Sequence, residues 1–70
     1  MKYYIAKTIS SIADATCLWK QDKKGKVWVV IGHDQEYWNS SHWYKSTANF
    51  LDLKQVHHST ARKYFPLAFK

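Results

Sequence analysis

The stretch ATCLWKQDKKGKVWVVI, residues 15–31, decides the fold of this chain. Its two arms are rich in β-branched and aromatic residues, and the polar segment QDKKG separates them. Two strand-forming arms joined by a short loop that contains glycine are typical of a β-hairpin. Gly25 ends the loop and can adopt the left-handed backbone conformation that hairpin loops of this length require. We therefore predict two antiparallel strands in this stretch.

The second arm of the hairpin carries apolar residues on both of its faces. Val27, Val29 and Ile31 point to one side, while Trp28 and Val30 point to the other. A strand of this kind is covered on both faces inside a sheet, or has one face covered and the other available for binding.

The segments that flank the hairpin extend the predicted sheet. KYYIAKT, residues 2–8, alternates in the way that a strand does. Residues 34–50 are rich in aromatic side chains, and we expect an aromatic loop and strand there, with WNSS at 38–41 as a turn.

A helix is predicted over residues 53–64. Apolar residues in this segment recur at the i, i+3, i+4 and i+7 spacing of one helix face, and Asp52 precedes them as a suitable N-cap. Pro66 disfavours helical geometry in the residue before it, so the helix is expected to end near Tyr64. Residues 65–70 then form a short C-terminal extension.

These elements predict an α+β fold for a single compact domain of residues 1–70. We expect a small antiparallel sheet of three or four strands, with one C-terminal amphipathic helix packed on one face. A 70-residue chain has a small core, so part of its twelve Trp, Tyr and Phe rings must supply buried area.

Positive charge is spread along the whole chain. Eleven Lys and Arg against five Asp and Glu give a net charge of +6. Residues 1–35 carry six Lys against three Asp, and residues 36–70 carry five basic against two acidic residues, so each half contributes +3. A generally positive surface attracts nucleic acid or acidic proteins.

The sequence favours a cytoplasmic protein without a membrane partner. Cys17 is the only cysteine, which excludes a disulfide within the chain. The N-terminal segment MKYYIAKTISSIADA lacks the continuous apolar core of a signal peptide. No stretch approaches the roughly 18–20 apolar residues of a membrane span.

The motifs that usually announce catalysis or a metal site do not occur in this sequence. His57 and His58 are adjacent and point in different directions on a helix, and no C-x-x-C or H-x-x-x-H pair is present. A ligand set of Cys17, His33 and His42 would depend on the fold. Cysteine in the middle of a strand usually serves as a small apolar residue, and two glycines cannot build a phosphate-binding loop. We therefore expect no enzymatic activity, no cofactor and no metal.

Aromatic and lysine side chains alternate through much of the chain, and this pattern is typical of surfaces that stack bases and neutralise phosphates. We predict a small, basic, non-enzymatic module that binds nucleic acid, either DNA or RNA, or a nucleic-acid-handling complex. The candidate binding residues are Trp19, Lys20, Lys23, Lys24, Lys26, Trp28, Tyr37, Trp38, Trp43, Tyr44, Lys45, Lys54, Arg62 and Lys63.

The same rings support an alternative hypothesis, because Trp, Tyr and Arg are enriched at protein–protein hot spots. The chain would then be an inhibitor or adaptor, of the kind that phages and mobile elements use, docked on a single host or defence protein. The segment DQEYWNSSHWYK, residues 34–45, would supply an exposed aromatic patch. Binding that weakens steeply as the salt concentration rises would favour the nucleic-acid hypothesis. Binding that depends weakly on salt, and is lost when a Trp or Tyr side chain is truncated, would favour the alternative.

Overall fold

A computed structural model of the protein describes residues 1–41 and 52–70, and in these ranges five strands form one antiparallel sheet. They are β1 (Lys2–Ala6), β2 (Cys17–Gln21), β3 (Val27–Ile31), β4 (Asn39–Ser41) and β5 (Leu53–Val56), in the spatial order β4-β3-β2-β1-β5. The C-terminal helix is α1 (His58–Tyr64), and Ile12–Asp14 and Pro66–Phe69 form short 3-10 helices. The predicted α+β class is confirmed, whereas the predicted number of three or four strands is wrong. No helix in the described ranges has both the length and the apolar character needed to cross a bilayer.

The strands β2 and β3 pair along their whole lengths as the central hairpin. Gly25 in the connecting loop has a φ of 88°, the left-handed conformation expected from the sequence. The carboxylate of Asp22 accepts hydrogen bonds from the backbone N–H groups of Lys24 and Lys26, each at 2.9 Å. These contacts all lie within the loop, so local turn chemistry supports its conformation.

The segment predicted as a helix over residues 53–64 is helical only in its second part. Its first four residues, Leu53–Val56, form β5 against β1, and α1 begins at His58. A short segment with apolar residues at both ends fits either structure, and the open edge of β1 supplies backbone partners that favour the strand. In β5 the side chains of Leu53 and Val56 point to opposite faces of the sheet, and each joins a different apolar cluster.

The N-cap residue of the helix also differs from the predicted one, because the helix begins later in the chain. His57 takes the N-cap position in place of Asp52, and its Nδ1 accepts a hydrogen bond from the backbone N–H of Ser59 at 3.2 Å. The helix ends at Tyr64, before Pro66, as the sequence predicts.

The segment 34–50 is described only in its first part. Its residues 38–41, predicted as a turn, contain instead the edge strand β4, in which Asn39 pairs with Val29 and Ser41 pairs with Val27. A short polar strand suits a sheet edge because it presents little apolar surface to solvent.

The sheet carries an apolar cluster on each face. On the helix side the buried residues are Ile5, Ile12, Ala15, Leu18, Val30, Ala61 and Phe65. On the opposite face they are Trp19, Val27 and Leu53. Val27 and Val30 are both fully buried, so β3 is covered on both faces over part of its length. The half-buried ring of Trp28 lies on the same strand.

Candidate functional site

One row of side chains crosses the helix side of the sheet. The strand register pairs Val56 with Tyr3, Tyr3 with Lys20, Lys20 with Trp28 and Trp28 with Ser40. Directly paired residues of antiparallel strands point to the same face, so these side chains stand side by side. Tyr3 and Val56 pack on the helix-side cluster, which places the row on that side.

Lysine ammonium groups lie over the indole ring of Trp28, which belongs to this row, and over that of Trp38, which does not. The Nζ of Lys20 is 4.1 Å from the ring centroid of Trp38 and 5.5 Å from that of Trp28. The Nζ of Lys26 is 5.1 Å from the Trp28 centroid. These distances are those of cation–π contacts. We call Lys20, Lys26, Trp28 and Trp38 the Lys–Trp cluster.

The two lysines of the Lys–Trp cluster differ in their surroundings. Lys20 is half-buried, and its burial lowers the pKa of its ammonium group below the usual value. Lys26 is exposed, and only its backbone is held by the loop, through the hydrogen bond to Asp22. Moving the side chain of Lys26 out of the cluster therefore disturbs less buried surface than moving that of Lys20.

The C-terminal segment holds the ring of Trp38. The indole Nε1 of Trp38 donates a hydrogen bond to the backbone carbonyl of Ala68 at 2.9 Å. Phe69 meets the same ring edge-on, with centroids 6.1 Å apart, and lies 5.2 Å from the ring of Tyr3. The extension predicted over residues 65–70 thus contains a 3-10 helix that fixes one wall of the cluster.

Further basic residues lie on the same side of the sheet. Burial raises the pKa of Tyr3, and the positive charge of Arg62, which is exposed on α1, opposes that rise. Lys63 is exposed on α1 with its Nζ 5.5 Å from the ring of Tyr64. Lys54 pairs with a residue of the helix-side cluster and so shares that face.

The loop of the central hairpin adds exposed positive charge beside the Lys–Trp cluster. Lys23 and Lys24 are exposed, and the one carboxylate of the loop, Asp22, accepts backbone hydrogen bonds from it. The ion pair found within residues 1–41 and 52–70 lies elsewhere, between exposed Lys70 and Glu36 at 3.7 Å. The hairpin lysines are therefore not neutralised by any acidic group in the part of the chain that the structure describes.

The predicted site residues do not all come together. Trp19 is only 8% exposed and lies on the opposite face of the sheet, so it cannot serve as a stacking platform, and the reason is the alternation of side chains along β2. Tyr37 is 78% exposed, next in the chain to Trp38. The candidates Trp43, Tyr44 and Lys45 lie outside the described residues.

Two residues of the surface are not among those predicted from the sequence. Tyr3 and Phe69 form part of the ring network around Trp38. The alternation of Tyr3 with Ile5 along β1 was a usable signal for Tyr3, because it places both on one face. No local pattern marks Phe69.

The possible metal ligands are not assembled in the described ranges, where no three His, Cys, Asp or Glu side chains lie close enough to hold an ion. Cys17 is free and half-buried, and His33 has a structural role instead. His42 lies outside those ranges.

The two ring nitrogens of His33 face two backbone carbonyl groups. Nδ1 lies 2.5 Å from the carbonyl oxygen of Tyr64, and Nε2 lies 2.7 Å from that of Ala15. The imidazole also stacks on the fully buried ring of Phe65, with centroids 4.2 Å apart and planes 13° from parallel. These contacts join the end of α1 to the segment before β2.

Comparisons of the chain with protein-family models, curated proteins and solved structures find no match. The Lys–Trp cluster and the hairpin lysines are therefore the features from which a function has to be inferred.

Proposed function

We propose that this protein is a small non-enzymatic module that binds nucleic acid, or a complex that handles nucleic acid, through the helix side of its sheet. The observation that carries this proposal is the Lys–Trp cluster, where ammonium groups and indole rings share one surface. Beside it, Lys23 and Lys24 are exposed without an acidic partner in the described ranges.

The chemistry of the surface matches the two components of a nucleotide. Aromatic side chains stack on bases, and each stacked base contributes about 1–3 kcal/mol. Lysine side chains neutralise phosphates and release counterions, so binding weakens as the salt concentration rises. The surplus of basic residues in the whole chain adds long-range attraction for a polyanion.

The test compares two variants in which the same Lys-to-Glu change is made at two different positions. Lys24→Glu alters the hairpin loop, whereas Lys7→Glu alters an exposed lysine that follows the far end of β1. Binding of labelled single-stranded and duplex oligonucleotides is measured by fluorescence anisotropy over a salt series. We expect Lys24→Glu to weaken binding and to reduce the slope of log affinity against log salt by about 1 or more. Lys7→Glu should leave that slope close to the wild-type value. Equal effects of both variants would mean that the net charge, and not this surface, attracts the ligand.

A second candidate function rests on Tyr37. A tyrosine that is 78% exposed is the kind of residue that anchors protein interfaces. The second candidate is therefore an inhibitor or adaptor that docks on one host or defence protein. A pull-down from host lysate, with and without nuclease, separates the two functions. One protein retained at a fixed ratio after nuclease and high salt, and lost in Tyr37→Ala, would establish the second function in place of the first.

A further inference from the structure

Trp28 has two lysine neighbours, and only one of them is partly buried. Lys20 is half-buried and contacts two indole rings. Lys26 is exposed, and its Nζ lies over Trp28 alone among the described rings. Lys26 lies two residues before Trp28, about 7 Å away along an extended chain and on the same face. Its long side chain can therefore extend along the strand and reach the ring of Trp28.

A nucleotide can supply a new partner to each side chain of the contact between Lys26 and Trp28: a base for the indole ring and a phosphate for the ammonium group. A cation–π contact at an exposed site is weaker than the stacking of a base on an aromatic ring. The ammonium group that leaves the indole gains a phosphate oxygen as its new partner, which is a stronger, charge-assisted contact. The backbone of Lys26 stays fixed by Asp22 during this exchange, so the phosphate and the base are bound close together.

Building on the proposed function, we propose that the Trp28 face under Lys26 is the position at which one base stacks, and that the ligand is single-stranded nucleic acid. Lys26 covers this face in the free protein and moves to the phosphate of the stacked nucleotide when the ligand binds. Lys20 stays between the two indole rings and keeps Trp28 in place.

The preference for a single strand follows from the geometry of a duplex. A base inside a duplex is stacked on both sides, so an indole ring on a protein surface reaches only unpaired or displaced bases. A lysine beside a ring serves a single strand well, since its backbone is flexible enough to present base and phosphate to the same patch.

The test uses the full chain, an oligothymidylate of roughly eight nucleotides, and a DNA duplex of equal length. The tryptophans carry a fluorine label, and the Trp28 resonance is assigned with the variant Trp28→Phe. In wild-type protein we expect the single strand to shift the Trp28 resonance and the duplex to leave it unchanged. In Trp28→Leu we expect the affinity for the single strand to fall between about 5-fold and 150-fold, with the affinity for the duplex changed less than about 2-fold.

Lys26→Gln and Lys24→Gln form a matched pair, because each removes one exposed ammonium group of the loop. Without ligand, Lys26→Gln should shift the Trp28 resonance, and Lys24→Gln should leave it in place. An unshifted Trp28 resonance in wild-type protein saturated with the single strand would overturn this inference while the proposed function stands. Failure to bind either oligonucleotide, even at low salt, would overturn both this inference and the direct binding of nucleic acid that the proposed function includes. The wild-type titration decides the question even where Trp28→Leu does not fold.

Discussion

The imidazole of His33 ties the end of α1 to the segment before β2. Its nitrogens face the carbonyl oxygens of Tyr64 and Ala15, and its ring covers Phe65. The carbonyl of Tyr64 belongs to the last residue of α1, where no further helical turn supplies a donor. One side chain therefore contacts the backbone at the end of α1 and also contributes to the core.

Replacing His33 should destabilise the fold. We expect His33→Leu to lower the free energy of unfolding by about 1–3 kcal/mol, because the carbonyl groups of Tyr64 and Ala15 lose their polar contacts with the imidazole. Urea denaturation followed by tryptophan fluorescence measures the change. His58→Leu is the control: that histidine is exposed on the first turn of α1, and the loss there should stay within about 0.5 kcal/mol. Equal losses of stability in the two variants would show that the contacts of the His33 imidazole do not stabilise the fold.

Lys20 should make the stability of the fold depend on pH in the alkaline range. Burial lowers the pKa of its ammonium group below the ordinary 10.5. Between the lowered pKa and 10.5 the unfolded chain binds more protons than the folded chain, so this residue increases stability as the pH rises across that window.

The prediction for Lys20 concerns a difference between two proteins. We expect the free energy of unfolding of wild type, relative to that of Lys20→Met, to increase from neutral pH towards 10.5. Urea denaturation at stepped pH measures both. Lys24→Met, which removes an exposed ammonium group of the hairpin loop, is the control for the loss of one positive charge. Parallel curves for the two variants would contradict the prediction.

At the scale of secondary-structure elements, the sequence predicts what local chemistry determines. Gly25 and Asp22 specify the hairpin loop within a few residues, and the structure has the hairpin there. The strand β5 could not be found in the same way, because its partner β1 lies some fifty residues earlier in the chain. The orientation of Trp38 likewise depends on the carbonyl of Ala68, 30 residues away.

The candidate site likewise depends partly on local sequence and partly on contacts between distant segments. The sequence places Trp19 and Trp28 in one set of binding residues, whereas the register of β2 and β3 places them on opposite faces of the sheet. Covering is a tertiary property, and it separates the buried Trp19 from the half-buried Trp28. Which rings form a surface was therefore beyond the reach of the sequence.

One substitution made in β5 and in α1 should have opposite effects. Thr favours a strand and disfavours a helix interior, each by up to about 1 kcal/mol. We expect Gln55→Thr, at an exposed position of β5, to leave stability unchanged or raise it by a few tenths of a kcal/mol. Lys63→Thr, at an exposed position of α1, should lower it by about 0.5 kcal/mol. Thermal and urea unfolding measure both variants, and a loss of similar size at position 55 would contradict the strand.

For the whole molecule, stability and the candidate surface depend on the same few rings. A chain of this length has a free energy of unfolding of only about 4–10 kcal/mol. Phe69 contacts Tyr3 on the sheet and Trp38 on the candidate surface, so it belongs to both the partly buried packing and the site.

Truncating Phe69 should therefore affect folding and binding together. We expect Phe69→Ala to lower the free energy of unfolding by about 2–3 kcal/mol, less than for a fully buried ring because Phe69 is half-buried. Nucleic-acid affinity should fall as well, because Trp38 loses its support. Leu67→Ala, also half-buried in the same 3-10 helix, is the control that should cost stability but retain affinity under folding conditions. Retained affinity in Phe69→Ala would remove Trp38 from the binding surface.

The strand order also constrains the sequence of events when the chain folds. β1, β2 and β3 follow one another and pair with their chain neighbours, whereas the ladder of β1 with β5 closes a loop that runs from residue 7 to residue 52. Loop closure becomes more costly in entropy as the loop lengthens, and pairings between distant segments are slow. The meander of β1–β3 is therefore expected to form first, and β5 to dock later. Because α1 follows β5 directly, its docking on the helix-side cluster belongs to that later, slower step.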